Sequence, residues 1–438
     1  MRARSERALP REGPRPGAAL TNTAVIEQDV TDLEVDDNGA PQRVNEYIVG
    51  EELGRGAFAR VYKCAKLVDG QSLEFAMKIF NKSLLKRKQE FTRVAGRMVA
   101  TNAFQKVQKE IAIMKKLCHP NLTRLHEVID SPEDDKLYLI LNVISGGQLL
   151  DFDNHAMRYR YTREPGPTVD EKSVTPLRVV HDCLVDLASG LDYLQRNLIC
   201  HRDIKPENIF VTDMSEYILG DFGVAHMFAE PGHATLLKNT EGTYHYLAPE
   251  CTSGDAFDPF KVDIWAVGVT VFAMVYGTLP FGMAVTDGPP GVLRAIREDP
   301  LVFPHEIEPL LHDLLMQLLD KSPATRISIL QLLEHPWITV AASRKAPNPT
   351  ESVTVTSDEI AKAFTASYKL FLMVKLKLKL HAKLARARSA LAAKQSEIST
   401  ATTTTINEGV NLIRRRSMRK VSDAAIPVSA SEPSCHVM

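Results

Sequence analysis

Hydrophobic and polar residues alternate in three short runs between residues 47 and 80, namely YIVGEELG, RVYKCAKLV and EFAMKIF. Alternation with a period of two predicts β-strands, and Asp69-Gly70 between the last two runs is a strong hairpin-turn signal. A second strand pair is predicted at LTRLHEVID and KLYLILNVI. Because VQKEIAIMKKL, between the two pairs, has apolar residues at helical spacing, the pattern predicts a small antiparallel sheet with one main helix.

The pattern changes after the Gly-Gly pair at 146–147, where long segments are apolar on nearly every side. Residues 179–197 and 261–277 are predicted to be buried helices, and residues 310–319 and 327–335 to be amphipathic ones. The chain is therefore predicted to be α+β and bilobal, with a small antiparallel β lobe and a larger, mostly helical lobe.

The segments on either side of this region, which spans residues 47–338, lack its periodicity. Residues 1–46 mix proline, glycine and charge, which is typical of disorder. Residues 339–392 are polar and then basic, and they are predicted to be regulatory. Residues 393–438 form a Thr-rich tail that is predicted to be disordered.

Composition and charge limit the possible functions. The 438 residues carry a net charge of -1, so no overall attraction to nucleic acid is expected. The six cysteines form no C-x-x-C pair, which is typical of reduced intracellular thiols. No apolar run reaches the roughly 18 residues of a membrane span, and the start lacks the apolar core of a secretory signal. A cytoplasmic location is therefore expected.

A glycine pair opens the first candidate motif, between the first two predicted strands. Glycine lets backbone N–H groups approach a phosphate with no Cβ in the way. G-x-G alone also occurs in many ordinary turns, so the motif is weak in isolation. The predicted nucleotide-binding loop comprises Gly54, Arg55, Gly56, Ala57, Phe58, Ala59, Arg60 and Val61.

Lys78 interrupts an apolar predicted strand, where a lysine is costly unless an anion compensates its charge. The candidate partner is Glu110 on the following helix, with the α- and β-phosphates of ATP as the third member. The alternative is a solvent-exposed lysine on an edge strand.

The string HRDIKPEN at residues 201–208 is the most specific motif of the chain. Asp203 is predicted to accept the proton of a substrate hydroxyl and to orient that oxygen toward the γ-phosphate of ATP. Lys205 is predicted to neutralise charge on the transferred group. Asn208 and Asp221, the latter in a D-F-G sequence, are predicted to bind Mg²⁺. For each residue taken alone, the alternative is an ordinary turn former.

Three charged residues of the larger lobe are predicted to be structural. Glu250 in an A-P-E sequence and Arg326 far downstream are expected to form an ion pair that anchors the substrate-side loop. Asp263, in DIWAVG, is expected to be a buried hydrogen-bond acceptor rather than a catalytic group.

These motifs, in this order, resemble those of eukaryotic serine/threonine protein kinases over residues 47–338, and Lys205 is typical of that group rather than of tyrosine kinases. The resemblance implies ATP and Mg²⁺ as cofactors and a protein hydroxyl as the phosphate acceptor. It also implies an adenine pocket with Leu141 as gatekeeper. The pocket is expected to be lined by Leu53, Val61, Ala76, Leu141, Asn142, Ile144 and Phe210.

The resemblance narrows to the calcium/calmodulin-dependent protein kinase kinases at two stretches, VQKEIAIMKKLCHPNLTRLHEVIDSPEDDKLYLIL and HPWITVAASRKAPNPTESVTVTSDEIAKAF. That family phosphorylates the activation loops of other kinases, which implies a downstream kinase of the AMP-activated or calmodulin-dependent type as substrate. The insert at 82–106 is basic, as in the family's docking insert, but it contains no proline. Thr243 is expected to contact the catalytic aspartate. Thr240 is a candidate phosphosite opposite Arg202, although the family needs no phosphate there.

The basic segment 365–390 contains no acidic residue. The resemblance implies an autoinhibitory segment that overlaps a calmodulin site here, within residues 339–392. Phe371, Leu378 and Leu384 are suitably spaced as anchors in a hydrophobic groove. The sequence KLKLKL at 375–380 alternates with a period of two, which would also suit a strand or a membrane-surface segment. A segment that binds only lipid or the protein itself is therefore the alternative.

The last four residues, CHVM, fit a prenylation signal at Cys435. The basic cluster at 414–420 would add the second signal that stable membrane anchoring requires. Coincidence is the alternative, and the expected location is cytoplasmic with or without membrane association.

Two rival functions are kept open. One is a serine/threonine kinase of broader specificity without calmodulin control, and the other is a scaffold whose kinase fold only binds partners. The presence of Lys78, Asp203, Asn208 and Asp221 favours an enzyme.

Overall fold

The computed structural model describes residues 25–37, 39–56, 58–94, 97–130, 134–163, 173–228, 236–237, 242–283 and 287–340, with the backbone alone for 89–94, 97–102 and 340. Some residues singled out above lie outside the described ranges and stay predictions. These are Ala57, Thr240, Phe371, Leu378, Leu384 and Cys435.

The small lobe is built on an eight-stranded sheet. Its elements in chain order are β1 (Ile26–Gln28), β2 (Leu33–Val35), β3 (Pro41–Val44), β4 (Tyr47–Arg55), β5 (Ala59–Val68), β6 (Gln71–Asn81), α1 (Lys82–Arg87), β7 (Gln89–Val94), β8 (Arg97–Asn102), α2 (Ala103–Met114), β9 (Leu125–Asp130) and β10 (Lys136–Asn142). The spatial order is β1-β9-β10-β6-β5-β4-β3-β2, and β7 pairs only with β8. All neighbours are antiparallel except β1 and β9.

Strand β10 lies between β6 and β9 and is buried on both faces. Leu139 and Leu141 pack into the core that contains helix α2, whereas Tyr138 and Ile140 pack into a second core on the opposite face of the sheet. This two-sided burial explains why the β10 sequence is a continuous apolar run. The predicted hairpin between β5 and β6 is confirmed, with positive φ at Asp69-Gly70, as a type I′ turn requires.

Residues 25–46 form strands β1 to β3, so the predicted disorder of residues 1–46 is wrong for this part. A buried polar side chain is the reason. The side-chain oxygen of Asn45 accepts hydrogen bonds from the backbone N–H groups of Thr31 at 2.8 Å and Asp32 at 3.2 Å. Strand β1 also pairs with β9, which is distant in sequence. The ordered structure of residues 25–46 therefore depends on long-range contacts that do not appear as a hydrophobic pattern in the sequence.

The basic insert is tied to the sheet at its start. It forms helix α1 and the β7–β8 hairpin before α2 begins at Ala103. The side chain of Asn81 caps α1 by accepting a hydrogen bond from the N–H of Leu84 at 2.9 Å. Lys82, the first residue of α1, donates to Asp130 at 2.7 Å.

The larger lobe is mostly helical. Its elements in chain order are β11 (Leu150–Asp153), β12 (Arg158–Tyr161), α3 (Leu177–Arg196), β13 (Ile199–Cys200), β14 (Ile209–Val211), β15 (Tyr217–Leu219), β16 (His226–Met227), α4 (Pro259–Tyr276), α5 (Gly288–Glu298), α6 (Pro309–Leu318), α7 (Ile329–Glu334) and α8 (Pro336–Val340). The strands form three two-stranded ladders, β11–β12, β13–β16 and β14–β15. The predicted α+β architecture with two lobes is confirmed.

Helix α4 is the central element of the larger lobe. Within the described ranges it is the one helix long and apolar enough to cross a membrane, but 89% of that span is buried inside the protein. A Cβ added at Gly268 would lie 2.9 Å from the Cβ of Leu318, so α4 and α6 pack at a distance that only glycine permits. Helix α4 is therefore a core helix. Its N-terminal half carries Asp263, which contacts the backbone of the HRDIKPEN segment at 201–208, the catalytic loop.

Candidate active site

Lys78 lies on β6 with β5 on one side and β10 on the other, which excludes the edge-strand alternative. Its ammonium group donates to Glu110 of α2 at 2.8 Å and lies 3.6 Å from a carboxylate oxygen of Asp221. Burial lowers the pKa of Lys78, but the charges of Glu110 and Asp221 outweigh it and hold the pKa above its ordinary value. The lysine is therefore held as a cation beside the half-exposed Asp221.

Asp203, the predicted catalytic residue, is held by three side chains. Thr243 donates its hydroxyl proton to Oδ1 of Asp203 at 2.9 Å, and Lys205 donates to Oδ2 at 2.7 Å. Lys205 also donates to the Thr243 hydroxyl at 3.0 Å. The amide nitrogen of Asn208 donates to the Asp203 carbonyl at 2.8 Å and to Oδ2 at 3.0 Å. The carboxylate is thereby fixed in one orientation, as positional catalysis requires.

Asn208 and Asp221 are brought together by the backbone. The N–H of Gly220, which precedes Asp221, donates to the carbonyl of Asn208 at 2.9 Å. The amide nitrogen of Asn208 donates to Asp203, so its amide oxygen is the atom that remains to bind a metal ion. The Asp221 side chain is 50% exposed, and the positive charge of Lys78 lowers its pKa. An amide oxygen and an ionised carboxylate fit Mg²⁺, which prefers hard oxygen ligands.

Two residues of the site have a left-handed backbone, Arg202 with φ 71° and Asp221 with φ 62°. Such angles cost about 1–2 kcal/mol in a residue other than glycine. Asp263 offsets the cost at Arg202, because its carboxylate accepts hydrogen bonds from the backbone N–H groups of His201 at 2.8 Å and Arg202 at 2.7 Å. Burial raises the pKa of Asp263 to about 7, although these hydrogen bonds oppose the rise.

His201 is a positioning residue that sequence reasoning missed. Burial lowers the pKa of its ring, so the neutral form prevails. Its Nε2 lies 3.1 Å from the carbonyl of Gly220, which can only accept, so Nε2 carries the proton. Its Nδ1 is then free to accept the N–H of Asp203 at 3.4 Å. The histidine thus connects the catalytic loop to the residue before Asp221.

Three of the residues predicted to line the adenine pocket, Val61, Ala76 and Leu141, share one face of the sheet. Val61 pairs with Lys78, and Leu141 pairs with Ala76, so these four side chains point the same way. Phe210 forms a bridge with Gln148, just after β10. Leu53, Asn142 and Ile144 are partly or fully exposed at the ends of the strands.

The glycine-rich turn leaves room for a ligand. A Cβ at Gly54 would meet nothing within 4 Å, and one at Gly56 would meet only the carbonyl of Ala59 at 3.6 Å. The chain itself therefore does not require glycine at Gly54, which favours close approach of a ligand as the reason. Arg55, Phe58 and Arg60 flank the turn.

The Glu250–Arg326 pair is formed as expected. Arg326 donates to both carboxylate oxygens of Glu250, at 2.6 and 3.0 Å, and to the carbonyls of Asp320 and Lys261 at 2.9 and 2.7 Å. Its guanidinium stacks on the ring of Trp265, 5.0 Å from the centroid. The pair joins residues 242–252, the substrate-side segment, to the helical core.

This constellation defines a phosphotransferase, with a cation for the nucleotide phosphates, oxygen ligands for a metal and an oriented carboxylate for a hydroxyl. The protein kinase domain family matches residues 47–338, and the chain belongs to this family.

Three relatives from curated proteins support the same class. The chain is 34% identical over 305 residues to the serine/threonine-protein kinase GRIK2 of Arabidopsis thaliana, covering 69% of this chain and 67% of that one. It is 32% identical over 335 residues to the calcium/calmodulin-dependent protein kinase kinase of Caenorhabditis elegans, covering 73% and 58%. The SNF1-related protein kinase catalytic subunit alpha KIN12 of Arabidopsis thaliana is 32% identical over 291 residues, covering 66% and 51%. The chain is an ATP-dependent protein serine/threonine kinase that uses Mg²⁺.

Proposed function

We propose that this kinase phosphorylates the activation-loop threonine of a downstream kinase of the AMP-activated or calmodulin-dependent type. The support is the resemblance to calcium/calmodulin-dependent protein kinase kinases and the 32% identity to such an enzyme over 73% of the chain. The observation that carries the chemistry is the contact among Asp203, Lys205 and Thr243, which places the substrate-side segment on the catalytic carboxylate.

Each site residue then has a role in transfer. Asp203 accepts the proton of the substrate hydroxyl as that oxygen bonds to the γ-phosphorus of ATP, while the bond from the γ-phosphorus to the bridging oxygen breaks and ADP leaves. Lys205 neutralises charge on the transferred group, and Lys78, held by Glu110, binds the α- and β-phosphates. Asn208 and the carboxylate of Asp221 would hold Mg²⁺, which when bound neutralises charge on the β- and γ-phosphates.

Regulation through the tail is a second part of the proposal. Calmodulin would bind residues 365–390 through Phe371, Leu378 and Leu384, by the helix-in-groove mode. A lipid on Cys435 with the basic cluster at 414–420 would bring the otherwise cytoplasmic enzyme to membranes.

Phosphosite mapping tests the substrate assignment. Kinase-dead catalytic domains of AMP-activated and calmodulin-dependent kinases are incubated with ATP, Mg²⁺ and either the wild type or Asp203→Asn. We expect phosphate on the activation-loop threonine and a rate about 10³-fold lower for Asp203→Asn, because the proton acceptor is lost. The control Asp213→Asn removes an exposed carboxylate ten residues away and should match the wild type.

Two results would contradict the proposal. Phosphate spread over many sites of the substrates indicates a kinase of broader specificity. Unchanged activity on addition of calcium and calmodulin, together with no binding of calmodulin to a peptide of residues 365–390, excludes the regulatory part.

A further inference from the structure

Tyr159, outside every kinase motif, lies beside the catalytic loop. It belongs to β12, and its ring is 4% exposed and packs edge-on against Phe152 with centroids 4.9 Å apart. Its backbone N–H donates to the carbonyl of Gly277 at 2.8 Å, directly after helix α4. The side chain is therefore held in a fixed position by the core of the larger lobe.

The Tyr159 hydroxyl bridges two functional segments. It donates to Oε1 of Glu207 at 3.0 Å and lies 2.7 Å from the hydroxyl of Tyr246. Since the carboxylate can only accept, the single proton of Tyr159 goes to Glu207, and Tyr246 must donate to Tyr159. The result is a directed chain of hydrogen bonds from Tyr246 through Tyr159 to Glu207.

Both ends of this chain lead to Asp203. Glu207 immediately precedes Asn208, whose amide donates to Asp203. At the other end, the N–H of Tyr246 donates to the carbonyl of Thr243 at 2.9 Å, and the Thr243 hydroxyl donates to Asp203 at 2.9 Å. The catalytic loop and the substrate-side segment are thus joined twice, once directly and once through Tyr159.

The carboxylate of Glu207 has little other support. Its second oxygen, Oε2, is buried and has no hydrogen-bond partner among the described residues. A partly buried carboxylate that loses a hydrogen-bond donor is destabilised more than a neutral group would be. Loss of the Tyr159 hydroxyl would therefore disturb Glu207 and release Tyr246 together.

We propose that Tyr159 is a positioning residue for the protein substrate, because its hydroxyl locks the substrate-side segment at Tyr246 against the catalytic loop at Glu207. The Lys78 contact expected for the nucleotide phosphates is not part of this connection, since Lys78 is held by Glu110 and Asp221 instead. The Tyr159 hydroxyl contacts Glu207 and Tyr246 rather than the metal-ligand candidate Asn208 itself, so the role concerns the affinity for the protein substrate more than that for ATP.

The test is steady-state kinetics of the full chain with Tyr159→Phe, which keeps the ring and removes the hydroxyl. Casein and myelin basic protein serve as substrates, so that the result depends neither on substrate charge nor on the proposed downstream kinase. We expect KM for both proteins to rise about tenfold, from the loss of hydrogen bonding to a charged group, with KM for ATP unchanged within about twofold. Tyr246→Phe should reproduce the effect, and the double variant should add little to it.

Tyr161→Phe is the matched control, because it removes a hydroxyl from the same strand two residues away. That variant should keep the KM of the wild type for both substrates. A lower melting temperature of Tyr159→Phe with unchanged KM for protein would reduce Tyr159 to a packing residue and overturn the proposal. An equal rise of KM for ATP and for protein would overturn it as well. If Tyr159→Phe does not fold, Tyr246→Phe breaks the same hydrogen bond and decides the question.

Discussion

Two ion pairs, one in each lobe, differ in how far their cations are buried and in which groups these cations contact. Lys78–Glu110 joins a strand to a helix in the small lobe, and Glu250–Arg326 joins the substrate-side segment to the helical core. Arg326 is fully buried and donates four hydrogen bonds to its own protein. The Lys78 side chain is 18% exposed and faces the half-exposed Asp221.

The two cations differ in whether they retain hydrogen-bond donors for a ligand. The planar fork of Arg326 is filled by Glu250 and two carbonyls, so nothing remains for a ligand. The Lys78 ammonium has three donors, and its ion-pair partners among the described residues are the buried Glu110 and the half-exposed Asp221. A closed pair, whose cation is fully buried and has no donor left, is structural. An open pair, whose cation is partly exposed, can exchange a carboxylate for a phosphate.

Lys78→Met should have the largest effect on activity. Removing the cation takes away the charge that binds the phosphates, so we expect kcat/KM to fall by about 10³-fold or more. A coupled ATP-consumption assay on folded protein measures this. Lys63→Met is the control, because Lys63 on the neighbouring strand forms a 2.8 Å pair with Glu74 that is exposed to solvent. If Lys78→Met kept its activity and lost only stability, the distinction between open and closed pairs would be wrong.

Arg326→Met should show the opposite behaviour. It leaves Glu250 and two carbonyls without donors, so we expect the free energy of unfolding to fall by about 3 kcal/mol. Activity per folded molecule at low temperature should stay within about threefold of the wild type, and denaturant titration with an activity assay measures both. Arg294→Met removes a surface cation 3.6 Å from Asp287 and should cost less than about 1 kcal/mol. A large loss of kcat in folded Arg326→Met would assign that pair to catalysis.

Both pairs could be predicted from sequence because each partner stands in a motif whose chemistry demands a counter-charge. Lys78 in an apolar strand and Glu250 in A-P-E are of this kind. The turn at Asp69-Gly70 was predictable for an equally local reason, since its backbone angles favour those residues.

Other features could not be predicted because they depend on distant partners. Strand β1 is ordered by pairing with β9, about 100 residues away, and by the Asn45 side chain. Tyr159 lies in a polar hairpin whose sequence suggests only a linker, and its partners Glu207 and Tyr246 are 48 and 87 residues away. The left-handed backbone of Asp221 has no sequence signal, since aspartate is not restricted to that region.

Asp263 provides a third buried carboxylate, and it differs from Glu110 and Glu250 in being held by backbone N–H groups. Burial raises its pKa from 3.8 to about 7, so the folded protein binds more protons than the unfolded chain between these values. The stability that Asp263 contributes is therefore present below about pH 4 and lost as the pH rises through about 7.

Asp263→Asn tests this difference, because asparagine keeps the shape and cannot ionise. We expect the wild type to lose about 2 kcal/mol relative to Asp263→Asn between pH 5 and pH 7, the smallest of the three effects. Urea unfolding of both proteins across this range measures the difference. If the free energies of unfolding of the two proteins changed in parallel with pH, Asp263 would be ionised throughout this range. The N–H groups of His201 and Arg202 would then stabilise its charge, as Lys78 and Arg326 do for Glu110 and Glu250.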